Sequence, residues 1–149
     1  MFWVFFGISL AVAALAWLAC LGFYKLQSPQ DHPARKPLVA WFPKYRREVT
    51  AAASAKGSEA IAALASTLES EGFSRAQLRS SEVVLERGVW IADSLYKPAS
   101  TKLRVTVAAG SSEKAIAITV EYGAFAIFDT GGLWAFCGAI CASVERGEN

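Results

Sequence analysis

Hydrophobic and polar positions divide the chain into unlike stretches. Phe2 to Tyr24 reads FWVFFGISLAVAALAWLACLGFY and carries no charged side chain. Twenty-three helical residues extend roughly 34 Å at ~1.5 Å each, enough to cross a ~30 Å hydrocarbon core. Within lipid, a lone segment can satisfy its own backbone only as a helix. The expectation is a single-pass transmembrane helix over residues 1–24. A linker follows over 25–47, and residues 48–149 return to the periodicities of a folded domain.

In that domain EVTAAASAKGSEAIAALASTLESEGF is rich in alanine, and Ile61, Leu64 and Leu68 recur at helical spacing. Ser58 suits an N-cap and Gly72 a C-terminal stop, so the pattern predicts a helix over 58–71. Val83, Val84 and Leu85 lead through Gly88 into Val89, Trp90 and Ile91, a hairpin or a bulged strand. KLRVTVAAG then alternates, with Leu103, Val105 and Val107 on one face and Lys102, Arg104 and Thr106 on the other. After the turn signal Gly110-Ser111-Ser112, the next strand sets Ile116, Ile118, Val120 and Tyr122 on one face. Strands 102–109 and 114–122 should pair as an antiparallel hairpin, with a bend or bulge at Gly123. Leu133, Phe136, Cys137, Ile140, Cys141 and Val144 form one apolar stripe at helical spacing, with Asp129 or Thr130 able to cap its start. The predicted class is α+β: a three- to four-stranded antiparallel sheet packed by two helices.

The linker holds four of the five prolines, Pro29, Pro33, Pro37 and Pro43, which deny a regular helix and favour an extended spacer. Within it, Trp41, Phe42 and Tyr45 interleave with Lys44, Arg46 and Arg47. The expectation is a strap on the membrane surface, with rings in the headgroup zone and cations on acidic lipid. The alternative is a strap packed on the domain or on a partner protein. In the anchor, Ser9, Ala13, Ala16 and Cys20 fall on one narrow stripe of small side chains, which would let a second helix approach closely. The expected partner is another membrane protein or a second copy of this chain.

Charge refines the picture. Residues 25–50 carry six basic groups against Asp31 and Glu48, whereas residues 51–149 carry nine basic and eleven acidic groups. A slightly acidic domain is a poor polyanion binder, which argues against nucleic acid. The basic flank after the apolar run predicts an outside N-terminus and a cytoplasmic domain. A secretory signal would want a basic n-region, which is missing, and Trp17 disfavours a lipoprotein cleavage box at Cys20. Cys137 and Cys141 share one helix face and read as small hydrophobes rather than a disulfide.

Candidate chemistry is sparse. The only histidine, His32, lies in the linker, which leaves no base for a serine or cysteine nucleophile in the domain. No CxxC, P-loop or GxGxxG is present, and neither metal nor cofactor is expected. Ala126-Ile127-Phe128-Asp129-Thr130-Gly131 resembles the hydrophobic-Asp-Thr-Gly signature of aspartic proteases, in which paired carboxylates share a proton to activate water. Those folds build a flap and a second apolar-glycine element downstream, whereas the eighteen residues after Gly131 read as one helix. The motif is expected to be a strand-to-helix turn with an Asp or Thr cap. The functional expectation is a membrane-anchored, non-catalytic interaction module, an accessory or assembly subunit of a membrane complex. The alternative is a tethered enzyme or ligand-binding domain using Asp93, Glu121, Asp129 and Arg104, and a single polar pocket joining them would favour it.

Overall fold

A computed structural model of the protein describes residues 2–51, 56–79, 82–88, 102–123 and 128–147. The apolar N-terminal run is one helix, α1 (Phe2–Leu26), which ends two residues beyond the expected span. Phe5–Leu26 is long and apolar enough to cross a membrane, and none of its hydrophobic window is buried by the rest of the chain. A signal sequence shares that length and composition.

The remainder is α+β, with strands β1 (Gln30–Asp31), β2 (Ala40–Trp41), β3 (Lys44–Thr50), β4 (Ser74–Arg79), β5 (Glu82–Arg87), β6 (Leu103–Ala109), β7 (Ala115–Tyr122) and β8 (Phe128–Asp129). Two helices accompany them, α2 (Gly57–Ser70) and α3 (Gly132–Arg146). The main sheet has six strands in the order β1-β3-β7-β6-β5-β4, and β2 pairs with β8 apart from it. The sheet is therefore larger than the three or four strands expected, and it is mixed, because β1 runs parallel to β3.

The three additional strands share a physical reason for being hidden in the sequence. β3 reads KYRREVT and β4 reads SRAQLR, so neither shows a run of apolar residues. β3 gives the core only Tyr45 and Val49, and β4 is an edge strand with a bulge between Arg75 and Gln77. β1 is only two residues long because Pro29 and Pro33 bracket it and deny it further ladder bonds. β3 begins at Lys44 and so crosses the boundary expected between linker and domain at 47.

The expected hairpin is present, with β6 and β7 paired from Leu103↔Tyr122 to Ala109↔Ile116. Alternation sends Leu103, Val105, Val107, Ile116, Ile118, Val120 and Tyr122 to one face, each no more than 1% exposed. Both helices cover that face, and Leu64 and Leu68 of α2 meet Leu133, Cys137, Cys141 and Val144 of α3 in one core cluster. α2 starts one residue before the expected 58. Lys56 precedes it in place of a Ser58 cap, and the Glu59 carboxylate accepts from the Lys56 N–H at 3.2 Å. Its end is as expected: Gly72 adopts φ +89°, and Phe73 N–H reaches back to Leu68 O at 3.0 Å. The reading of Val89 to Ile91 as a strand lies outside the described residues.

Ile118 lies mid-sheet opposite both Val107 and Arg47, with no exposure. Ile118→Asp would place a carboxylate in this core at a cost of several kcal/mol and should abolish the cooperative melt of the domain. A circular-dichroism melt close to that of the unsubstituted protein would contradict the strand register.

Candidate functional site

Polar chemistry concentrates where α1 meets the sheet. Tyr24, in the last turns of α1, is 8% exposed, and its hydroxyl donates to the Tyr122 carbonyl at the end of β7 (3.1 Å). The Phe42 ring lies 5.4 Å from Phe23 and 6.4 Å from Tyr24, and the Lys44 ammonium reaches Gln27 O at 3.4 Å. Phe42 has φ +49°, a left-handed conformation that costs a bulky residue on the order of 1–3 kcal/mol. The contacts with the α1 rings help hold it there. Helix α1 and the sheet thus meet through a packed joint rather than a loose tether.

On the helix-covered side, Asp129 is 3% exposed and closes the start of α3. Its carboxylate accepts from the backbone N–H groups of Gly131 (2.9 Å), Gly132 (3.2 Å) and Leu133 (3.2 Å), and from the Tyr122 hydroxyl (2.8 Å). A negative charge beside the unpaired N–H groups of a helix start is stabilising, so this is a cap. Burial and the bond to Asp129 push the Tyr122 phenol well above its ordinary pKa, and it remains a neutral donor. Tyr45 lies nearby; burial, and then the Asp129 charge, push its phenol up to about 12. Its hydroxyl finds no hydrogen-bond partner among the described residues.

The linker is docked along the same region. His32 stacks on Trp134 of α3 with ring centres 5.1 Å apart, and its Nε2 lies 2.9 Å from Trp134 O. Trp134 Nε1–H donates to Pro33 O (2.7 Å), and His32 N–H to Arg46 O (2.9 Å). The linker is extended, as its prolines require, and it packs on the domain instead of acting as a spacer.

The opposite face of the sheet carries a row of alternating charge. Lys44, Glu121, Arg104 and Glu86 stand directly across from one another on β3, β7, β6 and β5. Their contacts run Lys44–Glu121 2.9 Å, Glu121–Arg104 3.2 Å and Arg104–Glu86 2.7 Å, and Lys102 closes on Glu86 at 2.7 Å. Partial burial alone would raise the Glu86 pKa; hydrogen bonds from Lys102 and Arg104 outweigh it and hold the carboxyl below its ordinary value.

Measured against these positions, the sequence-derived candidates separate. Of the expected strap, Trp41 is exposed and Phe42 packs on α1. Lys44 pairs with Glu121, Tyr45 is in the core, and Arg47 reaches Glu145 of α3 at 3.0 Å. Arg46 remains exposed. Ser9, Ala13 and Ala16 are exposed along α1, and Cys20 is half-buried. Glu121 and Arg104 lie on one face of the sheet while Tyr122 reaches Asp129 on the other, so these carboxylates share no pocket. Asp93 lies outside the described residues. Cys137 and Cys141 are free, wholly buried thiols, and the bond to Cys141 together with burial pushes the Cys137 thiol up. Sequence reasoning did not single out the Tyr24–Tyr122 joint or Glu86; for Glu86 the signal available was the cross-strand charge order, which needs the register to be known.

Asp129→Ala should lower stability by about 3 kcal/mol or more, since buried donors lose a charged acceptor. Tyr122→Phe should cost roughly 1–3 kcal/mol, whereas Tyr45→Phe should be neutral or slightly stabilising, because only the first hydroxyl is bonded. Denaturant midpoints would check the ranking, and a Tyr45→Phe loss equal to that of Tyr122→Phe would contradict it. No protein-family model, curated protein or solved structure matches this chain.

Proposed function

We propose that this protein is a single-pass, membrane-anchored interaction module, an accessory or assembly subunit that presents an α+β domain in a set pose beside its anchor. The observation that carries this reading is the joint between Tyr24, Phe42 and Tyr122. A fixed attachment suits a subunit that engages a second membrane protein through helix and domain together. The separation of Glu121 from Asp129 on opposite faces also favours interaction over catalysis. Membrane lipid and a second membrane protein, or a second copy of this chain, are the partners on this reading.

The orientation we propose is an outside N-terminus and a cytoplasmic domain, supported by the basic residues Lys25, Arg35 and Lys36 close after α1. Lys114 is exposed at the end of the domain away from α1. A membrane-impermeant amine reagent should leave it unlabelled in intact cells and label it after permeabilisation; equal labelling would reverse the orientation.

The stripe Ser9, Ala13, Ala16 and Cys20 is the proposed helix interface. Ala16→Leu, or Ala13→Leu, should still insert and fold, yet co-purification in mild detergent should fall by roughly tenfold, as close helix contact depends on small side chains. Leu18→Ala serves as the control away from the stripe. Retention of every partner by both leucine variants would remove the helix from the interface.

A further inference from the structure

The linker between Pro37 and Phe42 carries exposed apolar side chains although its strand β2 is paired with β8. Leu38, Val39 and Trp41 are 94%, 49% and 65% exposed. Among the described residues, every other exposed large hydrophobic belongs to α1. Three such side chains within four positions, rimmed by the exposed cations Arg35 and Lys36, form a contiguous apolar tip with a basic edge.

We propose that this tip is a second membrane element, inserting into the interfacial layer of the same bilayer that α1 spans and so setting the tilt of the domain on the membrane. The inference rests on α1 being a membrane anchor. The position of the tip names the occupant. Phe42, the residue after Trp41, packs on Phe23 and Tyr24. Phe23 is three residues before the end of α1, about 4.5 Å along the axis at ~1.5 Å per residue. The base of the tip is therefore fixed beside the last turn of α1, which on the anchor reading lies where hydrocarbon gives way to headgroups. A protruding chain at that depth meets lipid on every side that the domain does not fill.

The chemistry of the tip fits the layer. A tryptophan with aliphatic neighbours suits the amphipathic boundary, and Arg35, Lys36 and Lys25 suit anionic headgroups beside it. The tip is also held firmly. β2 pairs Ala40 with Asp129 and Trp41 with Phe128, Pro43 is buried, and the Lys36 stem lies over Gly131 at the start of α3. Insertion would therefore be transmitted to α3 and the sheet instead of being absorbed by a flexible hairpin.

The test uses the full-length protein, alone, in nanodiscs of phosphatidylcholine and phosphatidylglycerol, with Cys20→Ser removing the membrane thiol. An environment-sensitive fluorophore is placed at Val39→Cys, at Ser111→Cys in the turn at the far end of the sheet, or at Ala13→Cys inside α1. Cys137 and Cys141 are wholly buried and stay unmodified in the folded protein. Lipids with a nitroxide near the headgroup end of the acyl chain should reduce emission at position 39 by roughly twofold or more and leave position 111 unchanged, as for an interfacial segment. Position 13 should respond instead to a nitroxide at the chain terminus. An unquenched probe at 39 beside a quenched probe at 13 overturns the proposal and leaves the anchor intact. An unquenched probe at 13 removes the anchor and the proposal with it. Quenching at both 39 and 111 overturns the set pose.

Discussion

The buried carboxylate of Asp129 sits where three parts of the chain meet. It ends β8, which pairs with the linker strand β2; it closes the first turn of α3; and through Tyr122 it is tied to the end of β7. A carboxylate taken out of water is costly unless donors surround it, and here three backbone N–H groups and one phenol do so. Few other arrangements of β7, the linker and α3 would supply those donors together. The charge thereby acts as a registration point for the end of the domain that meets α1.

From that point the attachment of α1 follows. Tyr122 binds Asp129 through its side chain and Tyr24 through its carbonyl, so a single residue links the α3 cap to α1. His32 and Pro33 hold the linker on Trp134 of the same helix. Phe42 then fills the angle between α1 and β3 in a left-handed conformation. The consequence for function is geometric. Under the function we propose, a partner that grips α1 would also meet the domain at a particular height and angle.

The open face of the sheet adds an electrostatic element. Lys44, Glu121, Arg104 and Glu86 neutralise one another in sequence across four strands. Cross-strand opposite-charge pairs of this kind contribute roughly 0.2–1 kcal/mol each, and they specify which residue faces which. Lys44 also donates to Gln27 O at the end of α1, so the row reaches the joint between that helix and the sheet.

Much of this protein was legible in the sequence because regular periodicity needs no partner to be visible. The charge-free run to Tyr24 implies a helix long and apolar enough to span a membrane, alternation over Leu103–Val107 and Ile116–Tyr122 implies a hairpin, and the stripe from Leu133 to Val144 implies a helix on its buried face. Those patterns reflect one side of an element facing apolar surroundings, a property each segment carries on its own. Asp129 as a cap was legible for the same local reason. The linker was not. Leu38, Val39, Trp41, Phe42 and Tyr45 are similarly apolar in sequence, yet Phe42 and Tyr45 turn inward while the other three remain exposed. Two-residue strands bracketed by proline have no period to read, and β3 hides its strand character because its outward positions are polar, Lys44 joining the charge row while Arg46 and Glu48 stay exposed. Which aromatic packs and which protrudes depends on where α1, β7 and α3 happen to lie, and only the tertiary structure places them.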